Sequence, residues 1–337
     1  MDIFNRLGAE SGCKLLAAEF YSRVATNPVL RPLFPGKSQR CAIEEFSAFL
    51  IQFLDGNEEL TQYRTWLSLR ESHARFRISR SQREAWMDEM EATLEASSLD
   101  DQTKLDMKQF FEGSSAYIIG EGAPDHQNGE LCSRWKSQRA LDDLIEALVA
   151  SRDSEVLANA PAFRHRRAVF VGILRRMLKS GRKPLLDFVH HEIERDPDFG
   201  WQQNGGRTLL HFAAGSGCSP VVEQLLRFGI EADIMDFGGH TALYAVANEC
   251  GNSSGPEIVR ALVRAGADVN HSGGVTRATP LHMSARRGFL GIAEALLDCG
   301  ASPEARDAKG DRPFERAINC RKLQLADFLN ARARAAN

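Results

Sequence analysis

The chain has 337 residues, of which 43% are apolar and 26% charged, and its formal net charge is −3. That length suits about two domains, each long enough to bury its own core, and the composition excludes a mostly disordered chain. The near-neutral balance gives no whole-molecule pull towards nucleic acid or an anionic membrane. No stretch approaches the roughly 18 consecutive apolar residues of a membrane span. The opening residues Met1 to Arg6 lack the basic-then-apolar order of a secretory signal. The seven cysteines are scattered, with no Cys-x-x-Cys among them, so neither a disulfide framework nor a thiolate zinc site is expected. Reduced thiols in a cytoplasmic protein are the expectation.

The first 120 residues carry apolar patterns at helical spacing, separated by breakers. One runs through Leu16, Phe20 and Val24 and stops near Asn27-Pro28; the next holds Phe46, Phe49, Leu50, Phe53 and Leu54 and stops at Asp55-Gly56. A third has Trp86, Met90 and Leu94, and a fourth Phe110, Phe111, Tyr117 and Ile118. Residues three and four apart share one helix face, so each pattern predicts a helix with one buried stripe. No β alternation and no Gly-rich phosphate loop appears, which predicts a small all-helical domain. Between the second and third patterns a lone His73 sits in the Arg-rich stretch Leu69 to Ile78. Alone, such a histidine is ordinarily structural. Its setting is an ordered set of short pieces: Phe20-Tyr21-x-x-Val24-Ala25, Leu30-Arg31-x-Leu33-Phe34-Pro35, Leu69-Arg70-x-x-His73-x-x-Phe76-x-Ile78 and Arg83-x-Ala85-Trp86-x-x-x-Met90.

This ordered set resembles the truncated hemoglobins, most closely their group II. The resemblance implies a globin-like domain over residues 1–120 that binds haem b, with His73 as the proximal ligand of the iron. It implies distal polar roles for Tyr21 and Trp86, stacking of Phe34 on the porphyrin, and positions facing the iron for Ala42 and Phe46. Arg70 and Arg75 would lie near the haem propionates. A neutral imidazole is what ferrous haem takes on its proximal side, and a phenol O–H and an indole N–H suit a polar diatomic ligand. The chain departs from the family at Ser72 and Arg75, at Thr65-Trp66-Leu67 and at Asp55-Gly56, where group II members commonly carry Arg, Pro, Gly-His-Pro and Gly-Gly.

Glu121 to Gly129 reads as a linker, rich in Gly, Pro and polar residues. Helical patterning then resumes, as in Leu141, Leu144, Ile145 and Leu148, so 121–184 is expected to be a linker and helical connector. Residues 156–186 hold eight Lys or Arg and no acidic residue. A solvated helix face is the plain reading of that basic stretch, and without aromatic interleaving it argues against nucleic acid. His190-His191-Glu192 looks metal-like, but adjacent histidines point to different sides of a helix, so a solvated surface is expected there.

The last third repeats. Thr208-Leu209-Leu210-His211, Thr241-Ala242-Leu243-Tyr244, Thr279-Pro280-Leu281-His282 and the weaker Arg312-Pro313-Phe314-Glu315 begin parallel units 33, 38 and 33 residues apart. The longer spacing predicts an insertion near Asn252 to Pro256. Each unit adds an apolar helix, as in Val221, Val222, Leu225 and Leu226, closed by Gly229, Gly266 or Gly300. Over 205–331 this resembles the ankyrin repeat, with Leu185 to Ile193 as a degenerate first cap, giving a repeat domain over 185–331. The resemblance implies a protein-binding surface, with the turn residues Phe237, His240, His271 and Arg277 available to a partner.

The expected fold class is therefore all-α: a truncated globin-like domain, a helical connector and an ankyrin solenoid. The expected function is reversible binding of O2 or another diatomic gas at a His-ligated haem iron, in a protein that also docks a protein partner and no membrane. Two alternatives stand beside it. One is a haem-dependent peroxidase or nitric oxide dioxygenase using the same residues. The other is a globin scaffold without haem, acting purely in protein interaction.

Overall fold

The computed structural model describes residues 2–34, 39–55, 68–73, 76–121, 129–204 and 206–336. Arg75, the run Thr65 to Leu67, Gly56, Pro35 and most of the expected linker (122–128) lie outside the described residues. The described chain is helical; apart from one bridge between Asn204 and Arg207, no strand pairing occurs among the described residues. It forms two compact units, Met1–Ala150 and Ser151–Asn337.

The first unit contains α1 (Ile3–Arg6), α2 (Ala9–Val24), α3 (Arg40–Asp55), α4 (Leu69–His73), α5 (Arg80–Ala96), α6 (Asp101–Ile118) and α7 (Gly129–Val149). Each apolar pattern of the sequence has become the buried face of one of these. Helix α2 buries Leu16, Phe20, Tyr21 and Val24 against α3 and α5. Helix α5 opens with a capping box: the Gln82 amide donates to Ser79 Oγ over 3.2 Å, and the Ser79 amide donates to Gln82 Oε1 over 2.9 Å. The core is a continuous packing of rings. Phe20 lies 4.9 Å from Trp86 and 5.8 Å from Phe46, and Phe53 lies 5.0 Å from Phe110. Aromatic pairs at these spacings add to the simple burial of their area.

Helix α7 was expected in the connector, yet it belongs to the first unit. Leu131 and Trp135 are buried in the same core, and the Trp135 ring stands 5.3 Å from Phe53 and 5.7 Å from Tyr117.

The second unit begins with α8 (Asp153–Asn159), then α9 (Arg167–Ser180) and α10 (Lys183–Arg195). Four helix pairs follow: α11 and α12 (Leu209–Ser216, Ser219–Arg227), α13 and α14 (Ala242–Glu249, Gly255–Arg264), α15 and α16 (Pro280–Arg287, Leu290–Asp298), α17 and α18 (Pro313–Asn319, Leu323–Ala336). First helices stack on one another from α9 through α17, and second helices from α10 through α16. The stack thus opens with α9–α10, so α9 is the first helix of a pair and the basic stretch lies inside the solenoid. Four of its arginines are held by partners within the unit. Arg164 holds the fully buried Glu192, Arg167 pairs with Asp196 at 2.8 Å, Arg175 donates to Asn204 and Arg182 reaches Asp153. His190 and His191 are exposed as expected; Glu192 beside them is not.

Most of the insertion is where the sequence placed it. Residues 250–254 separate α13 from α14, against the two residues 217–218 between α11 and α12. Consecutive hairpins approach backbone to backbone: a Cβ on Gly273 would meet the Gly239 carbonyl oxygen at 1.6 Å, so no side chain fits there.

Candidate functional site

A cavity of about 730 Å³ opens in the first unit, within the range of small-molecule and cofactor sites. Its wall is mainly aromatic and aliphatic. Helix α2 contributes Tyr21, and Phe34 follows the 3-10 turn at Arg31–Leu33. Ala42 and Phe46, four residues apart on one face of α3, line it with Phe49. His73 closes α4, Trp86 and Arg83 come from α5, and Phe111 and Ile118 from α6. Tyr21, Phe34, Phe46 and Trp86 form a contiguous wall: the Tyr21 ring is 5.3 Å from Phe34 and 6.2 Å from Phe46, which is 6.2 Å from Trp86.

Of the residues singled out in the sequence, Tyr21, Phe34, Ala42, Phe46, His73 and Trp86 therefore meet at one cavity. Arg70 does not line it. Its guanidinium turns to α7, 3.5 Å from Asp143 and 3.3 Å from Glu146. Arg75 lies outside the described residues.

His73 Nδ1 is 2.9 Å from the Leu69 carbonyl oxygen, one helical turn back, and 2.9 Å from Ser72 Oγ. A carbonyl only accepts, so the imidazole donates from Nδ1, and in that tautomer Nε2 carries the lone pair. This is how ligating histidines are ordinarily oriented. Burial pushes the Tyr21 phenol well above its usual pKa, so it stays protonated and a donor. Neither the Tyr21 hydroxyl nor the Trp86 indole N–H has a protein hydrogen-bond partner among the described residues, although both side chains line the cavity.

Several lining residues went unassigned in the sequence. Arg83 stood in the ordered framework without a role; here it lines the cavity, with Nε donating to Ser115 Oγ over 3.0 Å and Nη2 to the Glu112 carbonyl over 3.2 Å. Gln39 lines it as well, and its Nε2 is buried without a partner among the described residues. Nothing in the sequence distinguishes Gln39 from any polar residue in a turn.

The donor set fits a porphyrin better than a bare ion. Among the described residues, no group of three or more His, Cys, Asp or Glu side chains stands together as a metal site. A single imidazole in an apolar chamber suits a metal that arrives with its equatorial ligands already in place. Arg83 brings a cation to the chamber wall.

In the second unit the histidines of the repeat motif are structural. His211 Nδ1 accepts from the Thr208 amide over 3.3 Å, and its Nε2 donates to the His240 carbonyl in the next unit over 3.0 Å. His282 does the same with Thr279 and Asp311. Among the hairpin residues expected to face a partner, His240 stacks on Tyr244 at 4.1 Å and His271 is 3.0 Å from the Gly239 carbonyl. Phe237, Met235 and Val275 are exposed there.

Comparison with known proteins agrees with both halves. Residues 2–116 match the family model described as bacterial-like globin, and residues 174–273 and 250–335 match the model described as ankyrin repeats (3 copies). Alpha-latrotoxin-Lg1a of Latrodectus geometricus is 35% identical over 133 residues, covering 38% of this chain and 9% of the toxin. Palmitoyltransferase AKR1 of Lachancea kluyveri is 29% identical over 152 residues, 43% of this chain and 20% of that protein. Ankyrin repeat and SOCS box protein 16 of Mus musculus is 36% identical over 118 residues, 33% and 25% respectively. The chain thus spans a quarter or less of each of these relatives. Among the described residues no helix is long and apolar enough to cross a membrane. The chain joins a bacterial-like globin domain to a run of ankyrin repeats.

Proposed function

We propose that the globin unit binds haem b through His73 and takes up a diatomic gas such as O2 reversibly, while the ankyrin unit docks a protein partner. The observation that carries this reading is His73: it lines the apolar cavity, and its Nδ1 is committed to the Leu69 carbonyl, leaving Nε2 as the basic nitrogen. When bound, the haem supplies the iron centre on which a diatomic ligand is held and released. The chain supplies the rest. Phe34, Phe46 and Ile118 keep the chamber dry, Arg83 brings a cation to its wall, and the Tyr21 and Trp86 donors are available to a polar occupant. A small Ala42 leaves room where a larger side chain would intrude. In the second unit, the exposed Met235, Phe237 and Val275 at successive hairpin tips offer apolar anchors to a partner.

The test is an absorption spectrum of the purified chain with and without added hemin, beside His73→Ala. A Soret band that moves when CO is added after reduction, and that is lost or altered in the variant, supports the reading. A chain that takes up no hemin overturns it and leaves a globin-shaped scaffold with an interaction domain.

A further inference from the structure

Helix α4 has only five residues, too few to hold its own shape. It is held from outside, by α6 and by α7, the latter a helix beyond the residues that match the globin family. Ser68 Oγ accepts from the Glu71 amide over 3.0 Å, which caps the helix locally. The amide of Leu69 donates instead to Asp142 Oδ1 on α7, over 3.0 Å and 73 residues of sequence. Gln138, one turn back on α7, donates to the same oxygen over 2.8 Å. Asp142 is 1% exposed. Burial pushes its carboxyl above the ordinary carboxylate range, while the bonds from Gln138 and Leu69 pull it back.

Leu69 is gripped at both ends of its own backbone. Its N–H is held by Asp142, and its C=O accepts from His73 Nδ1 over 2.9 Å. The next residue extends the grip: the Arg70 guanidinium lies 4.3 Å over the Tyr117 ring and reaches Asp143 and Glu146 on α7. Helix α7 runs on to Val149, and the repeat-bearing unit begins at Ser151.

We propose that Asp142 is a positioning residue for His73, holding the iron-ligand helix α4 on α7. The proposal rests on the reading of His73 as the iron ligand. Any shift of His73 on ligand uptake would be passed through the Leu69 backbone to Asp142.

The experiment uses the full chain, as Asp142→Ala, which removes the acceptor, and Asp142→Asn, which keeps an amide oxygen in its place. In the haem-free protein, hydrogen exchange of the α4 amides should accelerate about tenfold in Asp142→Ala, with α2 and α5 unchanged and Asp142→Asn close to wild type. In the reduced haem-loaded protein, Asp142→Ala should shift the iron–histidine stretching band in resonance Raman, and Asp142→Asn should restore it. CO binding to reduced wild type should alter exchange over residues 138–146. If Asp142→Ala does not fold, the double variant Asp143→Asn with Glu146→Gln weakens the exposed half of the same grip, and its α4 amides should also exchange faster. Unchanged α4 exchange in the variants overturns the proposal, and so does an α7 indifferent to CO. A wild-type chain without a Soret band overturns the His73 reading and this one with it. A Soret-bearing chain whose α4 ignores Asp142 overturns this one alone.

Discussion

Tyr21 is a buried phenol whose hydroxyl has no protein acceptor among the described residues, at the wall of a cavity lined mainly by aromatic and aliphatic side chains. On the proposed reading that hydroxyl donates to the bound ligand, and such a bond is worth on the order of 1 kcal/mol. Tyr21→Phe should therefore speed ligand release by about five- to tenfold in flash photolysis while leaving the Soret band in place. Adding Trp86→Phe should speed it further; unchanged release in the double variant would remove both side chains from ligand contact. His211 makes an opposite case, a polar group fully spent inside the fold. Burial pulls its pKa from 6.5 to about 4. The unfolded chain then binds the proton more readily than the folded one between those values, so the stabilisation is complete above about pH 6.5 and is lost as pH falls towards 4. His282 is lowered for the same reason. The ankyrin unit should melt at a lower temperature at pH 5 than at pH 7, and His211→Gln should flatten that slope.

At the scale of elements, the sequence was most readable where spacing alone decides structure. The patterns through Phe20, Phe46, Met90 and Phe110 each became a helix with the expected buried face, since side chains three and four apart must share a side. The Thr-x-x-His signal of two units, with Thr-x-x-Tyr in the unit between them, located the repeats because the motif is itself a helix cap. In the weaker last unit, Glu315 takes the same duty by accepting from the Arg312 amide over 2.7 Å. What escaped notice depends on partners distant in sequence. The basic stretch reads as a charged surface until Glu192 and Asp196, 28 and 29 residues on, are seen to meet Arg164 and Arg167. Arg70 likewise looked like a haem contact because its position in the framework says nothing of Asp143 and Glu146. Glu192 is fully buried and held by Arg164, with Arg195 3.4 Å away. Removing the main partner of a buried charge leaves it uncompensated, so Arg164→Ala should cost ~3 kcal/mol in denaturant unfolding. A loss below about 0.5 kcal/mol would mean that the pair behaves as an exposed one.

At the scale of the whole molecule, the family match and the compact unit end at different places. The globin match stops at residue 116, whereas the first unit continues to Ala150. The difference is α7, and its contribution is physical rather than nominal. Trp135 is 2% exposed and fills the space between Phe53, Phe110 and Tyr117, while Leu131 is buried beside it and Asp142 holds α4. Cutting the chain at residue 120, where the sequence alone would end the domain, uncovers that aromatic face. Losing a buried Trp side chain alone costs about 3–5 kcal/mol, a large part of the ~5–15 kcal/mol that holds a typical domain together. A fragment of residues 1–150 should therefore melt cooperatively and take up hemin. A fragment of residues 1–120 should melt at a far lower temperature or aggregate on expression. The comparison is direct, because both fragments keep every residue that lines the cavity. If the shorter fragment matched the longer one in melting temperature and hemin uptake, α7 would be an appendage to the globin rather than part of its core. Its hold on the His73 helix would then lose its structural basis.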